Sequence, residues 1–441
     1  MSSIAQLLLR CGYSVSGSDL KENKSIAELK NLGAQIFLGH RPEQIAGASL
    51  VVYSTAIKED NPELQAAKVL DIPILRRAQA LAELMKEKKV ITVTGSHGKT
   101  TTTSLASALL IEAGFNPTVA IGGILRNIDS NARLGSGDFF VAEADESDGT
   151  FLYYQPQYSI ITNIDYEHLD YYASFENELN AFEDFIQKTL PGGCVIACFD
   201  DPNLRRMLKG AAIKHILFGL TSLADIYPKN FKLQGLSSEF DCYYREKLVN
   251  RFYLALGGRH NISNALAVIA LGLELGIQSK VIRKALRDYQ GAGRRLEIKY
   301  NSNGYLLLDD YAHHPTEIKA TLEAAKNLKR NRLIAVFQPH RYSRTKLLLD
   351  EFGKSFALAD YVVITDIYAA GETPIEGLSG KSIYDKIKEF SPNKETIYLP
   401  KEEIVSHVLK VGRPADLVIT LGAGDISKIN DELVARYKEL G

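Results

Sequence analysis

The chain has 441 residues, 45% hydrophobic and 24% charged, with a formal net charge of -1. That length exceeds one compact core and implies two or three domains, and the balanced charge excludes the basic excess that nucleic acid or an anionic membrane would call for. No apolar stretch approaches the roughly 20 residues needed to span a bilayer, no signal-peptide pattern opens the chain, and the four cysteines lack paired metal spacing, which fits a reducing cytoplasm and small-molecule partners.

Ile4, Leu7, Leu8 and Cys11 recur at helical spacing, and a strand then ends in SGSD, Ser16 to Asp19. A strand over Ser49 to Ser54 precedes a helix over Asn61 to Leu70. The charged run Met85 to Lys89 marks a junction or a solvated helix end. Farther on, Cys194 and Cys198 lie in an apolar run, where burial is the expectation. Leu333 to Phe337 reads as a strand before a helical pattern from Arg344 to Leu358, and Tyr361 to Thr365 as another strand. This alternation predicts α/β layers with largely parallel sheets, divided into three parts at 1–86, 87–294 and 295–441.

The most informative segment is Ile91 to Thr103, ITVTGSHGKTTTT. A β-branched run breaks into a turn holding Gly95, Ser96, His97 and Gly98, followed by Lys99, Thr100 and Thr101 at the start of a helical pattern. Two glycines let backbone N–H groups close on phosphate oxygens, and the helix N-terminus favours their charge. Lys99 can reach the β/γ-phosphates of a nucleotide and the Thr100 hydroxyl can ligate Mg²⁺. The spacing departs from G-x-x-x-x-G-K-[ST], with Val93 where the first glycine would fall. The flanking strand and helix distinguish it from a chance loop.

FFVAEADESDGTF, Phe139 to Phe151, and SIITNIDYEHLDYY, Ser159 to Tyr172, place acids and a histidine where strands are predicted to end. Glu143 would reach the ligand-binding edge of the sheet and hold a metal ion, and His168 would ligate a second ion or orient a transferring phosphate. Alone, Asp145, Glu146 and Asp148 read as a solvated acidic loop and a lone histidine as structural. The neighbouring phosphate loop reverses that reading for Glu143 and His168, and less strongly for the other acids.

These segments, with GGRHNISNALA from Gly257, GAGRRLE from Gly291, DDYAHHPTEI from Asp309, FQPHRYSRT from Phe337, YAAGE from Tyr368 and GAGDI from Gly422, resemble the Mur ligases in the same order along nearly the whole chain. The resemblance implies three α/β domains: a Rossmann-like domain for a UDP moiety, a central ATPase of phosphate-loop type, and a C-terminal Rossmann-like domain whose closure excludes water. It implies amide formation driven by ATP with Mg²⁺, or Mn²⁺, on UDP-N-acetylmuramate and L-alanine, in a monomer or weak homodimer. By the same resemblance His260 and Asn261 serve the adenine side, though Asn261 is equally suited to cap the helix from Ser263 to Leu275. Arg294 or Arg295 corresponds to an arginine that reaches nucleotide phosphate. Tyr311 and His313 lie near the incoming amino acid, while Asp309 and His314 can simply shape the turn before Pro315. His340, Arg341 and Arg344 hold the nucleotide sugar; the two arginines, three apart, would share one helix face and bind an anion as a fork.

Relatives begin with a strand and a glycine-rich G-x-G-G-x-G turn before the segment matching MSSIAQLLLRCG. The resemblance therefore implies a truncated first domain with exposed strand edges and no N–H cradle for the UDP diphosphate. A start assigned too late, or a damaged or specialised variant, would each account for it. Asp19, Ser54 and Thr55 are weak candidates for the remaining UDP contacts. A peptide-recycling ligase of the same superfamily, a nucleotide-binding switch and an inactive remnant are the alternatives in function.

Overall fold

The computed structural model describes residues 1–439. The chain divides into two compact units. One comprises Met1–Pro228, Cys242–Asn250 and Ser263–Gln290, and the other Lys229–Asp241, Arg251–Ile262 and Gly291–Gly441.

In the first unit, strands Cys194–Cys198, Tyr158–Ile161, Lys89–Thr94, Phe139–Glu143 and Thr118–Leu125 lie side by side in that order, all parallel, and Ser130–Arg133 closes the edge antiparallel. Their apolar residues are excluded from solvent on both faces, as strands covered by helices on two sides must be. Cys194 and Cys198 are buried as expected, and burial raises their thiols to about 12 and about 11. The phosphate-loop helix, Lys99–Glu112, is buried from Thr100 to Leu110 although it carries six hydroxyl residues. Thr103, Ser104 and Ser107 donate to the carbonyls of Lys99, Thr100 and Thr103, so these hydroxyls enter the core satisfied.

The first 86 residues form a looser arrangement. Ser16–Asp19 pairs with Gln35–Leu38 and Val51–Tyr53 with Ile74–Arg76, each pair parallel and each a separate two-stranded sheet. No residue of these four strands is buried. Parallel strands normally sit covered in the middle of larger sheets, so the exposed edges expected for this region are found. The first helix, Ser2–Arg10, is tied instead to the strand Ser130–Arg133, with Gln6 and Ser2 bonded to Asn131 and Ser130.

The second unit holds a six-stranded sheet in the order Glu297–Ser302, Tyr305–Asp310, Leu417–Leu421, Leu333–Phe337, Tyr361–Ile364 and Glu395–Tyr398, parallel apart from its first strand. Alternate residues feed two cores. Leu306, Leu308 and Phe337 pack with Phe352 and Ile383 on one face, and Leu307, Val336 and Val363 with Ile404 and Leu433 on the other. The segments DDYAHHP, PHRYSRT, YAAGE and GAGDI all follow C-terminal ends of its parallel strands, the ligand-binding edge of such sheets. Among the described residues no helix is long and apolar enough to cross a membrane.

Candidate active site

Three strands of the first unit end together at the phosphate loop. Thr94 leads into Gly95, Glu143 into the acidic segment, and Ile161 into Thr162–Asn163–Ile164–Asp165. Gly95 and Gly98 take φ of +120° and +84°. A Cβ on Gly95 would lie 2.3 Å from Thr162 Oγ1 and 2.7 Å from the Asn163 carbonyl, and one on Gly98 would lie 2.7 Å from Asn264 Oδ1. The glycines are therefore required by backbone conformation and by close neighbours together.

The segment after Ile161 braces this loop, which motif spacing did not indicate. The Asn163 amide accepts from His97 N at 2.9 Å and donates to the His97 carbonyl at 3.1 Å. Ser96 N donates to the Asn163 carbonyl, Asp165 N donates to Ser96 Oγ, and Thr162 Oγ1 donates to the His97 carbonyl. The His97 ring lies 2.9 Å from Asp165. Ser96 and His97 are thus loop residues whose shape is set from the neighbouring strand.

Lys99 Nζ donates to the carbonyls of Gly95 at 2.8 Å and Ser96 at 3.2 Å, and to Glu146 Oε1 at 2.7 Å. Burial alone would lower its pKa, but Glu146, Asp145 and Glu143 more than offset this and raise it. Glu146 is fully buried. Glu146 is therefore part of the site and not of a solvated loop: the turn after Glu143 swings it inward onto Lys99, a role residue spacing did not single out. Asp145 remains near Arg77, 3.9 Å away; burial would raise it, and Lys99, Arg77 and the Ser147 N–H hold it below the usual range.

Glu143 and Thr100 are brought together, with the carboxylate accepting from Gly122 N at 3.1 Å and from the Thr100 side chain. Burial raises Glu143, with Lys99 and these donors partly opposing. A threonine hydroxyl and a carboxylate are hard oxygen donors of the kind Mg²⁺ selects, and the second oxygen of Glu146 is buried without a hydrogen-bond partner among the described residues. This donor set fits a divalent cation. His168 takes a left-handed φ of +54° and lies 3.3 Å from Glu146 and 3.4 Å from Glu167. Burial would lower its pKa, but the two acids more than reverse that. The imidazole therefore sits between two carboxylates, at the same edge as Lys99.

In the second unit, Arg294 donates to Asp309 Oδ2 at 3.0 Å and to the carbonyls of Gly422 and Gly424 at 2.5 and 3.3 Å. The guanidinium expected to reach nucleotide phosphate is therefore engaged with the GAGDI turn, and Arg294 and Arg295 both lie over the Tyr311 ring. The helix containing Asn261 starts at Arg259, so Asn261 lies in its first turn, not ahead of it, and donates to the Gly257 carbonyl. That position removes the capping role. Burial and Arg295 depress His260 to about 4, which keeps the ring neutral.

His313 lies 3.0 Å from the Tyr311 carbonyl and 3.3 Å from Glu317, and its ring meets those of Tyr311 and His340 edge-on. His314 caps the helix Pro315–Lys326, in keeping with a turn-shaping role, whereas Asp309 is a buried ion-pair partner of Arg294, which the sequence did not indicate. Arg341 stands immediately ahead of the helix Tyr342–Leu347 with φ of +70°, near Glu372, while Arg344 turns back to His340 at 3.3 Å. Different neighbours hold the two guanidinium groups, because the left-handed Arg341 breaks the helical spacing that a shared face would need.

A strand, a two-glycine turn, a lysine and a buried helix define a phosphate-loop α/β protein. Residues 93–272 match the profile of the Mur ligase middle domain, residues 1–89 that of the Mur ligase family catalytic domain, and residues 294–424 that of the Mur ligase glutamate ligase domain. The UDP-N-acetylmuramate–L-alanine ligase of Pelotomaculum thermopropionicum is 47% identical over 441 residues, covering 100% of this chain and 95% of the relative. That of Geobacter sp. strain M21 is 43% identical over 99% of this chain and 95% of its own. The crystal structure of UDP-N-acetylmuramate-alanine ligase from Thermotoga maritima superposes with a TM-score of 0.85 at 30% identity, covering 100% and 97% of the two chains. The chain belongs to the Mur ligase family and has its three-domain architecture.

Proposed function

We propose that this chain is an ATP-dependent ligase that joins L-alanine to the lactyl carboxylate of UDP-N-acetylmuramate in the cytoplasm, as a step of peptidoglycan precursor synthesis. The observation that carries this reading is likeness along the entire chain to ligases of that name, the first at 47% identity. The three domains would divide near residues 86 and 294.

A carboxylate oxygen is a poor leaving group, so activation must precede amide formation. The lactyl carboxylate attacks the γ-phosphorus of ATP, ADP departs, and the product is an acyl phosphate; the alanine amine then attacks its carbonyl carbon and phosphate leaves. Lys99 neutralises charge on the transferring group, an electrostatic contribution of several kcal/mol in sites of this type. Gly95 to Thr101 wrap the phosphates with backbone N–H groups. Thr100 and Glu143 would hold Mg²⁺, or Mn²⁺, which when bound offsets phosphate charge. His168, 3.3 Å from Glu146, would orient the transferring phosphate or ligate a second ion. His260 and Asn261 would serve the adenine side, with Arg294 shaping that region through the GAGDI turn. Tyr311 and His313 would receive the amino acid, and His340, Arg341 and Arg344 the nucleotide sugar.

Phosphate release from ATP by the purified chain tests this directly. Release that requires both UDP-N-acetylmuramate and L-alanine is expected; release indifferent to either acceptor would overturn the assignment.

A further inference from the structure

The segment YAAGE has so far no role, yet it touches both halves of PHRYSRT. Tyr368 forms a parallel bridge with His340, accepts Arg341 N at its carbonyl at 2.9 Å, and donates its own N–H to the Pro339 carbonyl at 2.8 Å. Its ring stacks on the His340 imidazole with centroids 5.7 Å apart and planes 11° apart. Gly424 is packed against the same tyrosine, since a Cβ there would lie 2.6 Å from Tyr368 Cγ. Four residues on, Glu372 accepts from Ser343 N at 3.0 Å and from Ser343 Oγ at 2.6 Å, and its Oε1 lies 4.0 Å from Arg341 Nε.

Arg341 is the strained member of this group. A positive φ at an arginine is strained and persists only where its surroundings over-determine it. The surroundings are Tyr368 on its N–H and Glu372 on the residue two positions later. The short helix Tyr342–Leu347 has no side-chain cap of its own at Arg341. Glu372 supplies that function from a distant loop and faces the arginine with opposite charge.

We propose that Tyr368 and Glu372 are positioning residues for acceptor recognition: Glu372 fixes Ser343 and so holds Arg341 in its left-handed conformation, while Tyr368 fixes the plane of the His340 ring. The inference rests on the reading that His340 and Arg341 bind the nucleotide sugar.

The test is steady-state kinetics of Arg341→Ala, Glu372→Ala, Glu372→Asp and the double variant Arg341→Ala with Glu372→Ala. Arg341→Ala should raise KM for UDP-N-acetylmuramate, and Glu372→Ala should raise it about tenfold, the scale of a lost charge-assisted contact. KM for ATP should stay level, and kcat should fall less than that KM rises. Glu372→Asp should recover part of the loss, and the double variant should resemble Arg341→Ala alone. A raised KM in Arg341→Ala with none in Glu372→Ala, or additive losses, would overturn the positioning role while leaving Arg341 in the site. An unchanged KM in Arg341→Ala would overturn both.

Discussion

Lys99 Nζ and Glu146 Oε1 lie 2.7 Å apart, and the carboxylate is fully excluded from solvent. An ion pair at this depth is weak support for stability as a pair, but breaking it leaves one charge stranded, at about 3 to 5 kcal/mol. Lys99→Ala should therefore lower the melting temperature as well as reduce turnover by a hundredfold or more, roughly the effect of losing a preorganised electrostatic contact. Lys99→Met with Glu146→Gln should recover most of the melting temperature and none of the turnover. Calorimetry beside phosphate release separates the two; a double variant as unstable as the single would sink the account.

The turn glycines give a second prediction. Gly95 and Gly114 both have positive φ, +120° and +79°, but only Gly95 has neighbours where a Cβ would go. Gly114→Ala should cost about 1 kcal/mol, the strain of a left-handed non-glycine residue. Gly95→Ala should add displacement of Thr162 and Asn163 and abolish ATP binding measured by isothermal titration. Equal effects of the two would show that steric closeness at Gly95 is irrelevant.

Asn163 extends the same logic to the brace. Asn163→Ala leaves the His97 N–H and carbonyl without their amide partner, and unmade buried hydrogen bonds cost about 1 to 3 kcal/mol each. KM for ATP should rise about tenfold, since 1.4 kcal/mol is a factor of ten. Asn163→Asp, which can still accept from His97 N but not donate to its carbonyl, should fall between. An Asp variant worse than Ala would argue that charge, not the lost donor, dominates.

What the sequence displayed and what it concealed differ in kind. The phosphate loop was legible because strand, turn and helix follow one another within thirteen residues, and each local preference points the same way. That His314 shapes the turn ahead of Pro315 was legible too, although its capping of the following helix was not. Glu146, Asn163 and Glu372 were not, because each acts on a residue 47, 66 or 29 positions away and only the tertiary fold selects it. Of the acids after Glu143, spacing could not say which turns inward. Arg294 or Arg295 was singled out only through resemblance, and the carbonyl partners of Arg294, Gly422 and Gly424, lie 128 and 130 residues on. The exposure of the first strands was not readable from their own residues, since nothing in SGSD or VVY tells how many strands flank them.

Glu178 yields the last prediction. It is fully buried on the helix Phe175–Gln187, and burial with the nearby Glu146 and Glu167 pushes its carboxyl up to about 8, His168 and the Glu167 N–H opposing only in part. A carboxyl raised in the folded chain holds its proton where the unfolded chain has released it. Its stabilising contribution is thus fully present below the unfolded value near 4.5, declines as pH rises, and is lost above about 8. Glu178→Gln mimics the protonated form at every pH. Its melting temperature should match that of the parent at pH 4.5 and exceed it at pH 8.5 by on the order of 10 °C, taking about 1.4 kcal/mol per pH unit between the two values and 2 to 4 °C per kcal/mol for large domains. Scanning calorimetry across that range is the measurement. Parallel curves would mean that Glu178 titrates alike in folded and unfolded chains, and that the surplus of negative charge around His168 is relieved elsewhere in the cluster.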